Sequence, residues 1–486
     1  MSKRLKRQVI RAVPWSVAES LVNGLAGLAL TFVLAWFLEP AEVGQATIAL
    51  AVVGVVEIVA GFGIVEAVVG AKSGDTRVTD TAFTTVISLA VAAAAVCWLC
   101  AAPIGHFYNQ PQIVQLLEVA ALILPVNALV AIPTGLLVRK MRAGALTLRM
   151  MASRVVTILA TGLLAFLGYG AWALVLGTLT GSLASLLVLA PMVSRWPHLR
   201  FSKNEFVKLV RFGAAFSIER LLWGLMPRLF WLVLGYVHGS TVLGYFQFAQ
   251  RLVDETANLV QTFAIRFGLS FFAALERAGR DPTAAFLKAT RLITVIAAPI
   301  FTGLALVMPD LIGTVFAAKW APAAIVSQIA ALGWVLSFPR VLLGPALRAR
   351  GQQRGLVLYA TFAFTATIFA GVLTAGQGLF VIGVAWIVRH LIGVPWSFYA
   401  ISRYLGISVT TQMGTIIRPI VAAALMACAV IGTATLLHDF SPIRRLIAEV
   451  AVGATAYIVV LALIDRATVN LLRTIFNDVR QLRSTA

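Results

Sequence analysis

Charge is scarce in this chain: Asp, Glu, Lys and Arg make up only 12% of its 486 residues, against roughly 25% in a soluble globular protein. Carboxylates are scarcer still, 19 against 39 Lys and Arg. With 60% apolar residues and a mean hydropathy of +0.93, the composition excludes a soluble enzyme and a disordered polymer alike. Cysteine is nearly absent. Cys97, Cys100 and Cys428 all fall in apolar runs, so no disulfide framework is implied, and the Cys97–Cys100 CxxC lacks the βαβ context of a redox site. A phosphate-loop pattern, HExxH, metal-spaced Cys/His clusters and a GxSxG elbow are missing as well. The chain is therefore expected to be no enzyme, with no metal and no cofactor.

What is there is apolar sequence. Fourteen stretches, each long enough to cross a ~30 Å hydrocarbon core, run at about 14–38, 44–69, 81–103, 113–137, 147–167, 171–191, 213–237, 244–268, 290–308, 324–346, 355–376, 378–400, 419–437 and 446–464. This pattern predicts an all-α polytopic membrane protein. The first stretch is too long, and lacks the small-residue cleavage site, for a removable signal peptide. With these spans, thirty Lys and Arg lie in one set of tails, loops and flanking turns and three (Lys319, Arg444, Arg445) in the other. The positive-inside rule then places both termini in the cytoplasm, and the chain is expected in a bacterial inner membrane. The surplus of positive charge reads as topology and contact with the cytoplasmic leaflet, not nucleic-acid binding. Six arginines remain inside spans: Arg220, Arg228, Arg251, Arg266, Arg340 and Arg389.

The chain carries an internal repeat. Residues 11–44 laid over 211–244 match at eight of 34 positions, among them Glu19/Glu219, Gly24/Gly224 and Gly44/Gly244. This implies two parallel six-helix lobes, 1–191 and 213–400, joined by an interfacial linker at 192–212. An extra helix pair at 401–464 and an amphipathic cytoplasmic tail at 465–486 complete the division. Substrate sites of repeated transporters lie near the midplane, between the halves.

An ionisable group at the centre of a span costs about 2.5–3.5 kcal/mol on insertion scales, so such groups face a polar interior. In the eighth span Gln247, Gln250, Arg251, Asp254, Glu255, Asn258, Gln261 and Thr262 fall within about 140° of the helix circumference, opposite Phe246, Ala249, Val253 and Val260. This face is expected to line a water-filled cavity. Arg228 lies near mid-depth of the seventh span. Gln247, Asn258, Gln261, Arg228, Arg251 and Arg389 are the candidate substrate-binding residues. Glu19, Glu219, Glu57, Asp254 and Glu255 are the candidates for gating or ion coupling. Glu57, near the middle of the second span, and Arg389, beside His390 at the middle of the twelfth, equally suit structural ion pairs.

At Leu38–Gly44 (LEPAEVG), Leu243–Ala249 (LGYFQFA), Ala298–Leu304 (APIFTGL), Phe316–Trp320 (FAAKW) and Gly168–Trp172 (GYGAW), the sequence resembles the polysaccharide transporter family. That family includes the Wzx-type flippases of the multidrug/oligosaccharidyl-lipid/polysaccharide superfamily. The resemblance implies two bundles around a cationic cavity, alternating access, and an undecaprenyl-diphosphate-linked oligosaccharide as cargo. It implies the membrane itself, a polysaccharide polymerase and chain-length machinery as partners. Many relatives carry an Asp-Arg pair where this chain has Phe230-Trp231. The competing reading, an ion-coupled drug or cation antiporter of the same superfamily, calls for a cavity dominated by carboxylates and aromatics. A membrane glycosyltransferase is disfavoured by the short loops.

Overall fold

The computed structural model describes residues 24–61, 63–70, 76–193, 195–277 and 283–465. Among the described residues the regular structure is entirely helical. The first helices are α1 (Gly24–Phe37), α2 (Pro40–Ala60), α3 (Ile64–Gly70), α4 (Thr76–Leu99), α5 (Ala101–Phe107) and α6 (Gln112–Ala120). Next come α7 (Ile123–Arg139), α8 (Ala143–Phe166), α9 (Ala171–Leu189), α10 (Lys203–Arg277), α11 (Thr283–Val315) and α12 (Ala323–Ser337). The last are α13 (Leu343–Ala349), α14 (Gln353–Val372), α15 (Leu379–Leu405), α16 (Val409–Leu436) and α17 (Pro442–Ile464).

Twelve helical runs among the described residues are long and apolar enough to cross a membrane, where the sequence predicts fourteen. The difference arises at two places. Only the later part of the first apolar stretch is described, as the short apolar helix Gly24–Phe37. The seventh and eighth stretches form one 44-residue apolar run, Ile218–Gln261. Within it Gly239, at φ 82° and ψ 173°, leaves the helical path, so two helices meet there. A positive φ of this kind is one that glycine adopts without a Cβ penalty. In the linker, expected to be an interfacial helix, the chain is helical from Lys203 and continues without a break into the seventh span.

The chain divides into two compact units, Met1–Leu259 with Ala360–Ala385, and Val260–Tyr359 with Trp386–Ala486. In the first, the 200-residue repeat has a physical counterpart. A Cβ on Gly44 would collide with the carbonyl of Ser240, and one on Gly244 with the carbonyl of Pro40. The two contacts exchange under the same 200-residue shift, as contacts across a two-fold axis do. The LEPAEVG segment starts α2: Pro40 needs no N–H partner at the first turn, and the Glu42 carboxylate accepts from the Glu39 N–H at 2.8 Å. Glu42 also packs against Gly170 of the GYGAW segment. Three of the five motifs thus meet where chain reversals join helices.

Helices α8 and α9 are pressed together by small residues. A Cβ at Gly177 or Gly181, four apart on α9, would collide with Thr161 or Thr157 of α8, the close approach that small-xxx-small patterns allow within a membrane. Residues after α9 are stitched to the first turns of α4: Asp80 Oδ1 accepts from the His198 N–H at 3.0 Å and Thr81 Oγ1 from the Ser202 N–H at 3.2 Å. After α5, the Tyr108 hydroxyl donates to the Leu232 carbonyl at 2.9 Å. Burial pushes this phenol up to about 12, so it stays a donor.

In the second unit α17 is fastened along α11 at three levels. Arg291 makes a bidentate ion pair with buried Asp465, the Tyr457 hydroxyl donates to the Val295 carbonyl at 2.9 Å, and Arg445 forks onto Asp310. Between these ties Val295, Ala298, Ala422, Met426 and Leu461 form an apolar core with α16.

Candidate substrate cavity

A cavity of about 490 Å3 lies within the first unit, inside the few-hundred-Å3 range of small-molecule sites. Its wall comes from α1 (Gly27, Leu30), α2 (Thr47, Leu50), α8 (Ser153, Arg154, Thr157), α9 (Leu174, Thr178, Ser182) and α10. The last contributes Arg228, Trp231, Gln247, Gln250, Arg251, Asp254 and Glu255. Five of the eight residues on the predicted polar face of the eighth span therefore line it. The opposite face is packed: Phe246, Ala249 and Val253 are fully buried. Such a split follows from period 3.6 when one side meets protein and the other a polar space.

The charged groups interlock without cancelling on the wall. Arg228 donates from Nη1 to the Gly224 carbonyl at 2.8 Å and interacts electrostatically with Glu57. Glu57 in turn accepts from Asn127 Nδ2 at 2.8 Å. Gly54 leaves the space in which the Arg228 guanidinium lies; its Cβ would meet Arg228 Cδ at 2.9 Å and Cζ at 3.2 Å. Glu255 faces two guanidiniums, Arg154 and Arg251, and is hydrogen-bonded by Asn258. Trp231 donates to Gln250 Oε1 at 2.9 Å. The lining thus carries three arginines and two carboxylates, with serine and threonine hydroxyls opposite. This arrangement suits an anionic group bearing several oxygens, which guanidiniums grip in pairs, followed by hydroxyl-rich material.

The structure brings Arg228, Arg251, Gln247, Asp254 and Glu255 to one cavity, with Glu57 behind Arg228. Asn258 and Gln261 do not line it; Asn258 is exposed. Glu19 lies outside the described residues. Glu219 is half-buried on α10, beside Arg220, which pairs with Glu66 at 2.6 Å. Arg389 belongs to the second unit, where it is buried with its guanidinium 3.6 Å over the Trp386 ring. Arg154 was not among the sequence candidates. The count of basic residues by loop absorbed it as a flanking charge, although its 153–157 hydroxyl neighbours were a signal.

A family described as "Polysaccharide biosynthesis protein" matches residues 33–325. The chain belongs to that family. Over 99% of its length it is 26% identical to the succinoglycan biosynthesis transport protein ExoT of Rhizobium meliloti, of which 97% is covered. It is 22% identical to the lipopolysaccharide biosynthesis protein WzxC of Escherichia coli, over 76% of this chain and 77% of that one. Among solved structures it resembles the lipid II flippase MurJ in an inward closed conformation, with a TM-score of 0.78 and 13% identity, covering 94% of this chain and all of that one. The polysaccharide family and this fold agree with the resemblance carried by the five motifs.

Proposed function

We propose that this protein is a flippase. It moves an undecaprenyl-diphosphate-linked oligosaccharide from the cytoplasmic to the periplasmic leaflet for cell-surface polysaccharide biosynthesis. The observation that carries this reading is the arginine-rich cavity walled by apolar spanning helices, together with relatives named for polysaccharide transport. Arg228, Arg251 and Arg154 hold the diphosphate. Hydroxyls and amides pass the sugars while the polyprenyl chain stays in lipid. Access alternates by movement of the lobe 1–191 against the lobe 213–400, with Glu19 and Glu219 as pseudo-equivalent gating or ion-coupling groups. Both termini are cytoplasmic and the membrane is the inner one. A polymerase and its chain-length machinery take the product.

Arginine's planar fork binds two phosphate oxygens, which lysine cannot imitate. Arg228→Lys should therefore cut glycan export at least tenfold at unchanged membrane abundance, measured by complementation of a deletion strain and by flipping of a labelled lipid-linked oligosaccharide in proteoliposomes. Normal export by Arg228→Ala at normal abundance overturns the assignment; loss of drug resistance with export intact would point to an antiporter. A reporter fused after Lys203 should read cytoplasmic and one after Ala317 periplasmic, and the reverse pattern rejects the topology.

A further inference from the structure

A separate recess of about 140 Å3 lies in the first unit, where the end of α7, the start of α8, the first turns of α4 and the segment after α9 meet. It shares no lining residue with the arginine-rich cavity. Four cations, Arg139, Lys140, Arg142 and Arg195, line it against one carboxylate, Asp80. That carboxylate is buried and already engaged. Its Oδ1 accepts from the His198 N–H at 3.0 Å, and its Oδ2 stands 3.9 Å from Arg195 Nη2, near the outer limit of an ion pair. Among the described residues no hydrogen bond or ion pair engages the side chains of Lys140 and Arg142, and both residues are exposed. Like charges crowded on one wall repel, and an anion seated between them relieves the repulsion.

Local sequence explains how two cations reach one recess from a single turn. Helix α7 closes with hydrogen bonds from the Met141 N–H to the Val138 carbonyl and from the Arg142 N–H to the Leu137 carbonyl, both at 3.0 Å. Glycine is the usual left-handed residue of such a helix end. Here that residue is Met141, at φ 52°, where a side chain adds strain. The sharp reversal lets Lys140 and Arg142 both line the recess, while Met141 between them is exposed beside exposed Val138. On the opposite wall Trp196 is held in place: its indole N–H donates to the Ala190 carbonyl at 3.2 Å, and its ring meets Phe83 edge-on at 6.5 Å. Cations, a tryptophan and exposed apolar side chains at the ends of spanning helices are the composition of a membrane interface.

Position, charge and size identify the occupant. Lys140 and Arg142 stand between the fourth and fifth apolar stretches, in one of the basic loops, and the leaflet that faces such loops is the one that carries anionic lipids. A soluble anion would satisfy the cations and leave Val138 and Met141 uncovered; a lipid satisfies both. By analogy with a cavity of similar size that takes benzene, the volume seats on the order of six heavy atoms. That is enough for a phosphate with its glycerol oxygens and far too little for an oligosaccharide. We propose that this recess seats the headgroup of an anionic glycerophospholipid. Its phosphate oxygens accept from the Lys140 ammonium and the Arg142 guanidinium, whose fork suits two oxygens at once, and its acyl chains lie over Val138 and Met141. This site does not depend on the cargo reading above.

The test uses the full-length protein, stripped of lipid in neutral detergent and titrated with phosphatidylglycerol or phosphatidylethanolamine, with bound lipid counted by native mass spectrometry. Phosphatidylglycerol should bind about tenfold tighter than phosphatidylethanolamine, as an anion beside two unpaired cations should. Lys140→Gln with Arg142→Gln should erase that preference; both side chains are exposed, so the double variant should fold. Arg354→Gln with Arg403→Gln removes the same charge from exposed positions of the second unit and should keep it. No preference in the native protein, or an unchanged one in the Lys140 and Arg142 double variant, overturns the proposal. An equal loss in the Arg354 and Arg403 double variant also overturns it, by showing attraction to the basic face as a whole. Displacement of phosphatidylglycerol by equimolar inorganic phosphate would leave only a simple anion site, and displacement by equimolar undecaprenyl diphosphate would make the recess a landing place for cargo; either result rejects the glycerophospholipid.

Discussion

At Arg228 a guanidinium is kept inside an apolar bundle by three things: a backbone carbonyl one turn away, a carboxylate on α2, and a neighbour with no side chain. The last of these is the easiest to perturb. In Gly54→Val the new Cβ falls on the space now taken by Arg228 Nε and Cδ, so the arginine must swing away although every charge is retained. We expect glycan export to fall about tenfold, close to the level of Arg228→Lys, with membrane abundance unchanged; wild-type export in Gly54→Val would show that the position of Arg228 does not matter. Sequence alone identifies Arg228 because mid-span arginine is costly. It does not reveal Gly54, since a glycine in an apolar helix is unremarkable until its neighbour is known. Arg154 escapes for the opposite reason: near a basic loop it looks like topology, and only the fold brings it to Glu255.

Helix α10 shows how far periodicity carries. Its polar stripe from Gln247 to Glu255 faces the cavity and its apolar stripe is packed, as a 3.6-residue repeat dictates. The agreement stops at Asn258, which is exposed, because a wheel projects angle and says nothing of where along its axis a cavity ends. In a cysteine-free background, Gln250→Cys and Asp254→Cys should therefore react with a membrane-impermeant thiol reagent, while Ala249→Cys and Val253→Cys should react at least tenfold more slowly. Equal labelling of both pairs would contradict a water-filled cavity. The kink at Gly239 was legible as a gap between two apolar stretches. The ties of α17 to α11 at Arg291, Val295 and Arg445 were not, since pairs 135–174 residues apart leave no local pattern.

At the scale of the whole chain, the sequence repeat has a counterpart in three-dimensional contacts within the first unit. Gly44 and Gly244 align under the 200-residue shift, and each rests on the backbone carbonyl of the other copy, at Ser240 and Pro40. A two-fold contact of this kind has an energetic signature. Gly44→Val and Gly244→Val each force the same two chain reversals apart, so each should reduce export by a similar factor, about tenfold for a loss of roughly 1.4 kcal/mol. Once one substitution has separated the pair, the second meets no close neighbour, and the double variant should be little worse than either single one; residues in direct contact are where additivity fails. Gly414→Ala, where an added Cβ meets nothing within 4 Å, should export normally and controls for the effect of a side chain on a membrane helix. Export assays on the four variants, at matched abundance, decide the matter. Two independent, fully additive losses would mean that the reciprocal contact is incidental packing, whereas a shared loss makes it the hinge point through which one repeat senses the other.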